Sequence, residues 1–332
     1  GTDPVLLDYS NRAGISIRGI KEHFWNLGYK RKGAKIPNKS AEIQIIPAPK
    51  IEIKPIEPPL TTRDPEIQAL LLSDIQVGHK TKSYNEKIFQ KRLDLLQKKL
   101  VRIAELHAPI TKLAIFMLGD MIQGEQIGHK VDLAELERDA YGQKYEIIIP
   151  GLSNFLVNLL QVYPEIHVYG IRGNHGRPGK YASLRTNWDT DVYMALKMTL
   201  SQYERIKFYI EADEFYQIVE LDGWKFFLVH GDQVPVTRNL PLYGFRTRVM
   251  NWYTSIGGVE KVPFHFLCSG HFHTRWDFYA NTIRCIGNGS FVTDDQWVLN
   301  VLGLVGQCCQ ETFGIHKRRG ISWTYPLSLD KE

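Results

Sequence analysis

Apolar positions from residue 67 onward recur with two different periods. Ile67–Leu72 is a short, mostly apolar run ending in Ser73-Asp74; Leu113–Leu118 is a second, ending in Gly119-Asp120. Ile166–Ile171 is a third and leads into Gly173-Asn174-His175. Runs of this length bounded by turn residues predict buried strands. Between the first two, Asn85–His107 places Ile88, Leu93, Leu95, Leu96, Leu100 and Ile103 at helical spacing. That pattern predicts an amphipathic helix. A further helical stretch runs to Leu160, with Pro150-Gly151 expected to break it. Right-handed crossovers in this βαβαβ order would bring the three strand ends to one edge of a sheet.

The later part of the chain has a different rhythm. Tyr216–Leu221, Asp222-Gly223 and Trp224–Val229 predict a hairpin with a two-residue turn, its second strand ending in His230-Gly231-Asp232. Phe264–Ser269 predicts a strand ending in Gly270-His271-Phe272-His273. Trp276–Ala280 and Ile283–Ile286 predict another hairpin around Asn281-Thr282. A parallel half followed by a mixed half predicts an α/β fold of two mixed sheets packed face to face, with helices outside. Upstream, Ile43–Leu60 holds five of the sixteen prolines and reads as an extended connector. The expected organisation is a basic head at 1–42, a proline-rich linker at 43–60 and a body at 61–332.

Composition narrows the class. A chain of 332 residues with 43% hydrophobic and 23% charged residues is in the range of soluble globular proteins. No uncharged apolar run reaches the roughly 18 residues of a membrane helix, and the opening GTDPVLLDYSNR does not read as a secretory signal. Four cysteines without a C-x-x-C pair are expected to be reduced and structural, in a cytoplasmic protein. The net charge of +5 is concentrated: residues 1–40 carry eight Lys/Arg against Asp3, Asp8 and Glu22, which accounts for the whole excess.

Five of the predicted strands end in residue types that bind hard and borderline metals: Asp74-Ile75-Gln76, Gly119-Asp120, Asn174-His175, His230, and His271-Phe272-His273. Ligands gather beyond the carboxyl ends of strands, and glycine permits a sharp turn at that point. In Asp-x-Gln and His-x-His, residues two apart on an extended chain share a face. Each motif alone also reads as an ordinary turn or cap; their order, each after an apolar run, is what points to a metal centre.

The set resembles the calcineurin-like metallophosphoesterases, whose pattern is D-x-H, G-D, G-N-H, a lone H and G-H-x-H, matched in order over about Leu70–His273. The resemblance implies a four-layer αββα sandwich and two divalent ions, with Asp74, Gln76, Asp120 and His273 holding one. Asp120 would bridge to the other, completed by Asn174, His230 and His271. It further implies hydrolysis of a phosphoester by a metal-bridging hydroxide, with His175 as the general acid.

Departures from the pattern refine the expectation. Gln76 replaces the usual His with a neutral oxygen ligand, favouring Mn²⁺ or Mg²⁺, with Fe or Zn²⁺ as alternatives. The same Gln occurs in the family branch acting on ADP-ribose and CDP-alcohols. Residues 119–124, Gly-Asp-Met-Ile-Gln-Gly, lack the motif of Ser/Thr protein phosphatases. Arg177 follows His175-Gly176 where an acidic residue is common, and either contacts a substrate phosphate or is a surface arginine. Gly-Asn-His-Gly-Arg, Asn187-Trp188-Asp189 and His230-Gly231-Asp232 resemble bacterial and phage members labelled DNA-repair exonucleases.

For the substrate, nucleic acid is the leading expectation. The head reads either as half of a helix-turn-helix, Asn11–Trp25 with Lys30-Arg31-Lys32 beyond, or as a solvated basic tail. Arg246 and Arg248, interleaved with Tyr243, Phe245 and Trp252, suit a single strand or simply an amphipathic helix. His316–Arg319 reads by default as a solvated charge run. A nuclease or phosphodiesterase is therefore expected. A small-molecule phosphatase or pyrophosphatase of the ADP-ribose type is the alternative, and a non-catalytic nucleic-acid-binding member a third. The pattern sets no oligomeric state.

Overall fold

A computed structural model of the chain describes Pro49 and residues 63–125, 136–179, 182–235, 241–257, 262–295, 299–300, 303 and 305–330. The basic head, and the proline-rich linker apart from Pro49, lie outside the described residues. Strand β1 (Glu66–Leu72) is followed by α1 (Glu86–Leu106), β2 (Ile110–Met117), a helical stretch containing α2 (Ile149–Leu159), β3 (Ile166–Gly170), α3 (Trp188–Thr199) and β4 (Ile206–Ile210). Then come β5 (Tyr216–Leu221), β6 (Trp224–Val229), α4 (Pro241–Gly257), β7 (Phe266–Ser269), β8 (Trp276–Ala280), β9 (Ile283–Gly287), β10 (Cys309–His316) and β11 (Gly320–Ser328). Among the described residues no helix is long and apolar enough to cross a membrane.

Two mixed sheets result. One has the order β11-β10-β1-β2-β3-β4, the other β5-β6-β7-β9-β8. β1 to β4 pair in parallel, while β10 and β11 join antiparallel on the far side of β1. In the second sheet β6, β7 and β9 are parallel, with β5 and β8 as antiparallel flanks. The side chains of β1 show how the layers stack. Ile67, Ala69 and Leu71 join Phe226, Leu228 and Cys268 in a core between the sheets. Leu70 and Leu72 join Phe89, Leu93 and Leu96 of α1 and Leu152 and Leu156 of α2 in the core under the first helical layer. Phe245 and Val249 of α4 cover the outer face of the second sheet, against Phe227 and Leu267. This is the expected four-layer αββα sandwich. Buried on both faces, β1 reads as a nearly continuous apolar run rather than an alternating one.

The structure corrects two expectations and adds three strands. Pro150-Gly151 does not break the helix: residues Gly142–Ile148 form a π-helical stretch that passes directly into α2, with Pro150 in its first turn. There the missing N–H costs nothing, because the first N–H groups of an α-helix need no partner within the helix. His316–Arg319 is not merely a solvated run but the turn of the β10–β11 hairpin, with His316 buried and Lys317, Arg318 and Arg319 exposed. β4, β10 and β11 were not anticipated at all.

The Asp222-Gly223 turn is as expected, with both residues left-handed at φ of 51° and 84°. A Cβ on Gly223 would meet nothing within 4 Å, so a substitution there strains only the backbone. Gly223→Ala should lower stability by about 1 kcal/mol in urea unfolding and leave metal binding untouched. An unchanged midpoint would show that the turn does not need its left-handed geometry.

Candidate metal centre

All five loops that carry the expected ligands leave the carboxyl ends of central strands: β1, β2 and β3 in one sheet, β6 and β7 in the other. The backbone there is unusual. Asp74, Gln76, Asp120, His271 and His273 have φ of 53°, 48°, 57°, 74° and 53°. A left-handed backbone costs a side-chain-bearing residue about 1–2 kcal/mol. Five in one place persist only because the surrounding structure holds them, a pattern typical of functional sites. The chain is thus not extended at Asp-x-Gln or His-x-His, although the sharing of a face at spacing two survives: Ile75 and Phe272, between the paired ligands, are buried in the two outer cores.

Glycine lets the loops meet. A Cβ on Gly173 would lie 2.1 Å from Asp120 Oδ1, and one on Gly270 would lie 2.6 Å from Asp74 Oδ2.

The side chains converge in two linked groups. Asp120 Oδ2 lies 3.0 Å from His230 Nε2, which is 3.0 Å from Asn174 Oδ1. Ligand atoms of Asp120, His230 and His271 all fall within 4.8 Å of one another and could hold a metal ion. On the other side, His273 Nε2 is 3.5 Å from Asp74 Oδ1 and 3.1 Å from Gln76 Nε2. His175 closes the ring, with Nε2 at 3.3 Å from Gln76 Nε2 and 3.8 Å from Asp120 Oδ2. All seven expected ligands and His175 are therefore brought together.

Divalent cations fit this donor set. Gln76 Oε1 is buried without a hydrogen-bond partner, and Asp120 Oδ2 faces the ring nitrogens of His230 at 3.0 Å and His175 at 3.8 Å; an unsatisfied buried oxygen calls for a cation or donor. His230 Nδ1 is 2.7 Å from Leu118 O; donation there presents Nε2 to the site, the usual way an imidazole ligand is oriented.

Charges within the cluster balance tightly. Burial disfavours ionisation of Asp120, but His230 and His175 outweigh it and hold the carboxyl well below its usual range. Burial also opposes charge on His230 and His273. Asp120 pushes the first up to about 10, and Asp295 and Asp74 push the second up to about 10. His271 is lowered to about 4 by burial and by neighbouring His230.

Several supporting residues carried no sequence signal. Asp74 is held through Ser73 Oγ (2.5 Å) and the His271 N–H (3.0 Å to Oδ2), and its carbonyl accepts from Ser290 Oγ (3.0 Å). Behind it, Gln310 Oε1 accepts from Ser73 N and Asn288 Nδ2 at 3.0 and 2.9 Å. Asp295 Oδ2 lies 3.4 Å from His273 Nδ1. His79 is buried, its Nδ1 unpartnered, its pKa lowered to about 4 by burial. Polar residues scattered through strands and turns give no periodic clue to such roles.

The three arginines fare differently. Arg177 is half exposed and ion-paired with Asp232, two residues after His230. Arg246 and Arg248 are exposed on α4, whose buried Phe245 packs edge-on against Phe272 at 5.6 Å. Among the described contacts neither reaches a ligand side chain.

No family model and no curated protein matches the chain. Among solved structures it is similar to an archaeal phosphodiesterase, at 11% identity and TM-score 0.35 over 78% of this chain and 99% of that one. It is similar also to Vps29 of Entamoeba histolytica complexed with Zn²⁺, at 12% and 0.35 over 79% and 100%. A hypothetical protein of Pyrococcus horikoshii OT3 overlaps at 10% and 0.40 over 81% and 90%. At such values the functional reading rests on the side chains themselves.

A ring nitrogen must be unprotonated to bind a metal, so cation binding should expel protons from His230 and His273. Their raised pKa values place this competition across the neutral range: affinity should climb with pH, by up to about tenfold per pH unit for each proton expelled. Calorimetric Mn²⁺ titrations at pH 6, 7 and 8, in buffers of different ionisation heat, measure both quantities. Affinity independent of pH, with no proton release, would show that both rings are already neutral before the cation arrives, against their raised pKa values.

Proposed function

We propose that the chain is a phosphoesterase using two divalent ions, and that its substrate is a phosphodiester in nucleic acid. The observation that carries the first part is the meeting of seven ligand-type side chains from five strand ends, the buried Asp120 carboxylate among them, with His175 alongside. Asp74, Gln76, Asp120 and His273 would hold one ion; Asp120, Asn174, His230 and His271 the other. The ions would supply Lewis-acid charge to the phosphoryl oxygens and lower the pKa of a water. Mostly hard donors, with Gln76 in place of an imidazole, favour Mn²⁺ or Mg²⁺.

The protein's own groups do the rest. The His175 ring is fixed by Nδ1, 3.2 Å from Gln123 O, so that Nε2 faces the cluster and can give a proton to a leaving oxygen. Arg177 sits three residues after Asn174 and can exchange Asp232 for a substrate phosphate oxygen. The nucleic-acid part is supported by the charge of the head and by the exposed Arg246 and Arg248 of α4. Gln76 favours a second reading, a small-molecule phosphatase or pyrophosphatase.

Mn²⁺-loaded protein tested on bis-p-nitrophenyl phosphate, p-nitrophenyl phosphate, ADP-ribose and labelled single- and double-stranded DNA and RNA separates the readings. Cleavage of the diester and a polynucleotide is expected, with Asp120→Asn reducing turnover at least about 100-fold. Turnover of the monoester or ADP-ribose alone would sink the nucleic-acid part, and full activity in Asp120→Asn the whole assignment. Arg177→Ala should raise KM about tenfold, the loss of one charge-assisted contact, with little change in kcat. An unchanged KM would leave Arg177 as a partner of Asp232 only.

A further inference from the structure

Asn187, Trp188 and Asp189 open α3, and the two-ion reading gives them no task. Asn187 Oδ1 caps the helix by accepting Asp189 N at 2.8 Å, an ordinary local role. The Asp189 carboxylate does something else. It is fully buried, and it accepts main-chain N–H groups from two of the three loops of the parallel half, those after β2 and β3. Oδ2 accepts from Asp120 N at 3.0 Å and Gly173 N at 2.8 Å, while Oδ1 accepts from Met121 N at 2.9 Å. Asn187 Nδ2 adds a bond to Gly173 O at 3.1 Å, and Trp188 N donates to Gly176 O at 2.7 Å.

Among the described backbone hydrogen bonds, none directly joins residues 119–124 to residues 173–176. His175 links the two loops directly, its N–H donating to Asp120 Oδ1 at 2.8 Å and its Nδ1 lying 3.2 Å from Gln123 O, and the first residues of α3 add the ties to their main-chain N–H groups. One loop carries Asp120, which would touch both ions; the other carries Asn174 and His175. We infer that Asp189, braced by Asn187, is a positioning residue that sets the spacing between these two parts of the centre. The inference rests on the two-ion reading. A carboxylate suits the position because two acceptor oxygens serve three N–H groups. An amide of the same shape would turn an NH₂ group against at least one of those donors.

Manganese gives a readout that a merely structural role would not move, because two Mn²⁺ ions sharing a carboxylate are exchange-coupled and isolated Mn²⁺ ions are not. The experiment is electron paramagnetic resonance of the full chain titrated with Mn²⁺, beside thermal unfolding, for the parent, Asp189→Asn and Tyr193→Phe. Tyr193 lies on the same helix, donates to Ile171 O at 3.0 Å and receives the Gly119 N–H, so its variant loses buried bonds beside the loops while leaving every Asp189 bond in place. The parent should bind two ions with a coupled spectrum, and Tyr193→Phe should keep it. Asp189→Asn should bind the pair about 10–100-fold more weakly, the range for residues that orient metal ligands, with uncoupled Mn²⁺ signals appearing.

Parent-like affinity and coupling in Asp189→Asn would overturn the positioning role while leaving the two-ion reading intact. A parent that binds no second ion would overturn both. Should Asp189→Asn fail to fold, Asn187→Asp takes its place. It keeps the helix cap but loses the donor to Gly173 O, and weaker coupling is expected; an unchanged spectrum would count against the inference.

Discussion

The rest of the site depends on keeping the Asp120 carboxylate charged in a place that water hardly reaches. Burying an unpaired carboxylate is prohibitive, and the structure compensates from several directions at once. Oδ1 accepts the His175 N–H at 2.8 Å, Oδ2 faces His230, and the residue's own N–H is taken by Asp189. Even its carbonyl is used, accepting Gln76 N at 2.9 Å from the neighbouring loop. Asp120 is thus tied to the loops after β1, β3 and β6 and to the start of α3. Moving any of these elements would leave buried charge uncompensated, which explains why so many segments converge with so little freedom.

The same economy accounts for the strained backbone. A left-handed residue is unfavourable wherever it occurs, yet here each one is gripped by bonds from elsewhere in the chain. Asp74 N is held by Gly119 O and its carbonyl by Phe291 N, so that the turn after β1 is fixed from both sheets. A site assembled this way is preorganised: its donors are already in place before a cation or substrate arrives, and little reorganisation accompanies binding.

How much of this was legible in the sequence depended on whether burial was apolar. β1, β2, β3, β6 and β7 are buried by hydrocarbon and showed as apolar runs, and the ligand types at their ends stood out for that reason. β10 did not, because Gln310, Glu311 and Thr312 are buried by hydrogen bonds to Asn288, Arg275 and Gln68, which leave no periodic trace. β4 is an edge strand with Lys207 and Tyr209 exposed, so its pattern is too weak to read. Pro150 misled because a π-helical stretch supplies the start of a new α-helix at that point, something residue preference does not disclose. Within the site, ligand identity was readable while left-handed geometry was only hinted at by nearby glycines. Asn187-Trp188-Asp189 stood out only by resemblance; the role of the Asp189 carboxylate was hidden, since its main-chain partners lie 16 to 69 residues away in sequence.

The claim that these loops form one centre for two ions is tested most directly by locating the ions. Crystals grown with Mn²⁺ and measured at its absorption edge should show two anomalous peaks, one among Asp74, Gln76 and His273 and one among Asn174, His230 and His271, with Asp120 touching both. A single peak, or peaks away from Asp120, would contradict the account.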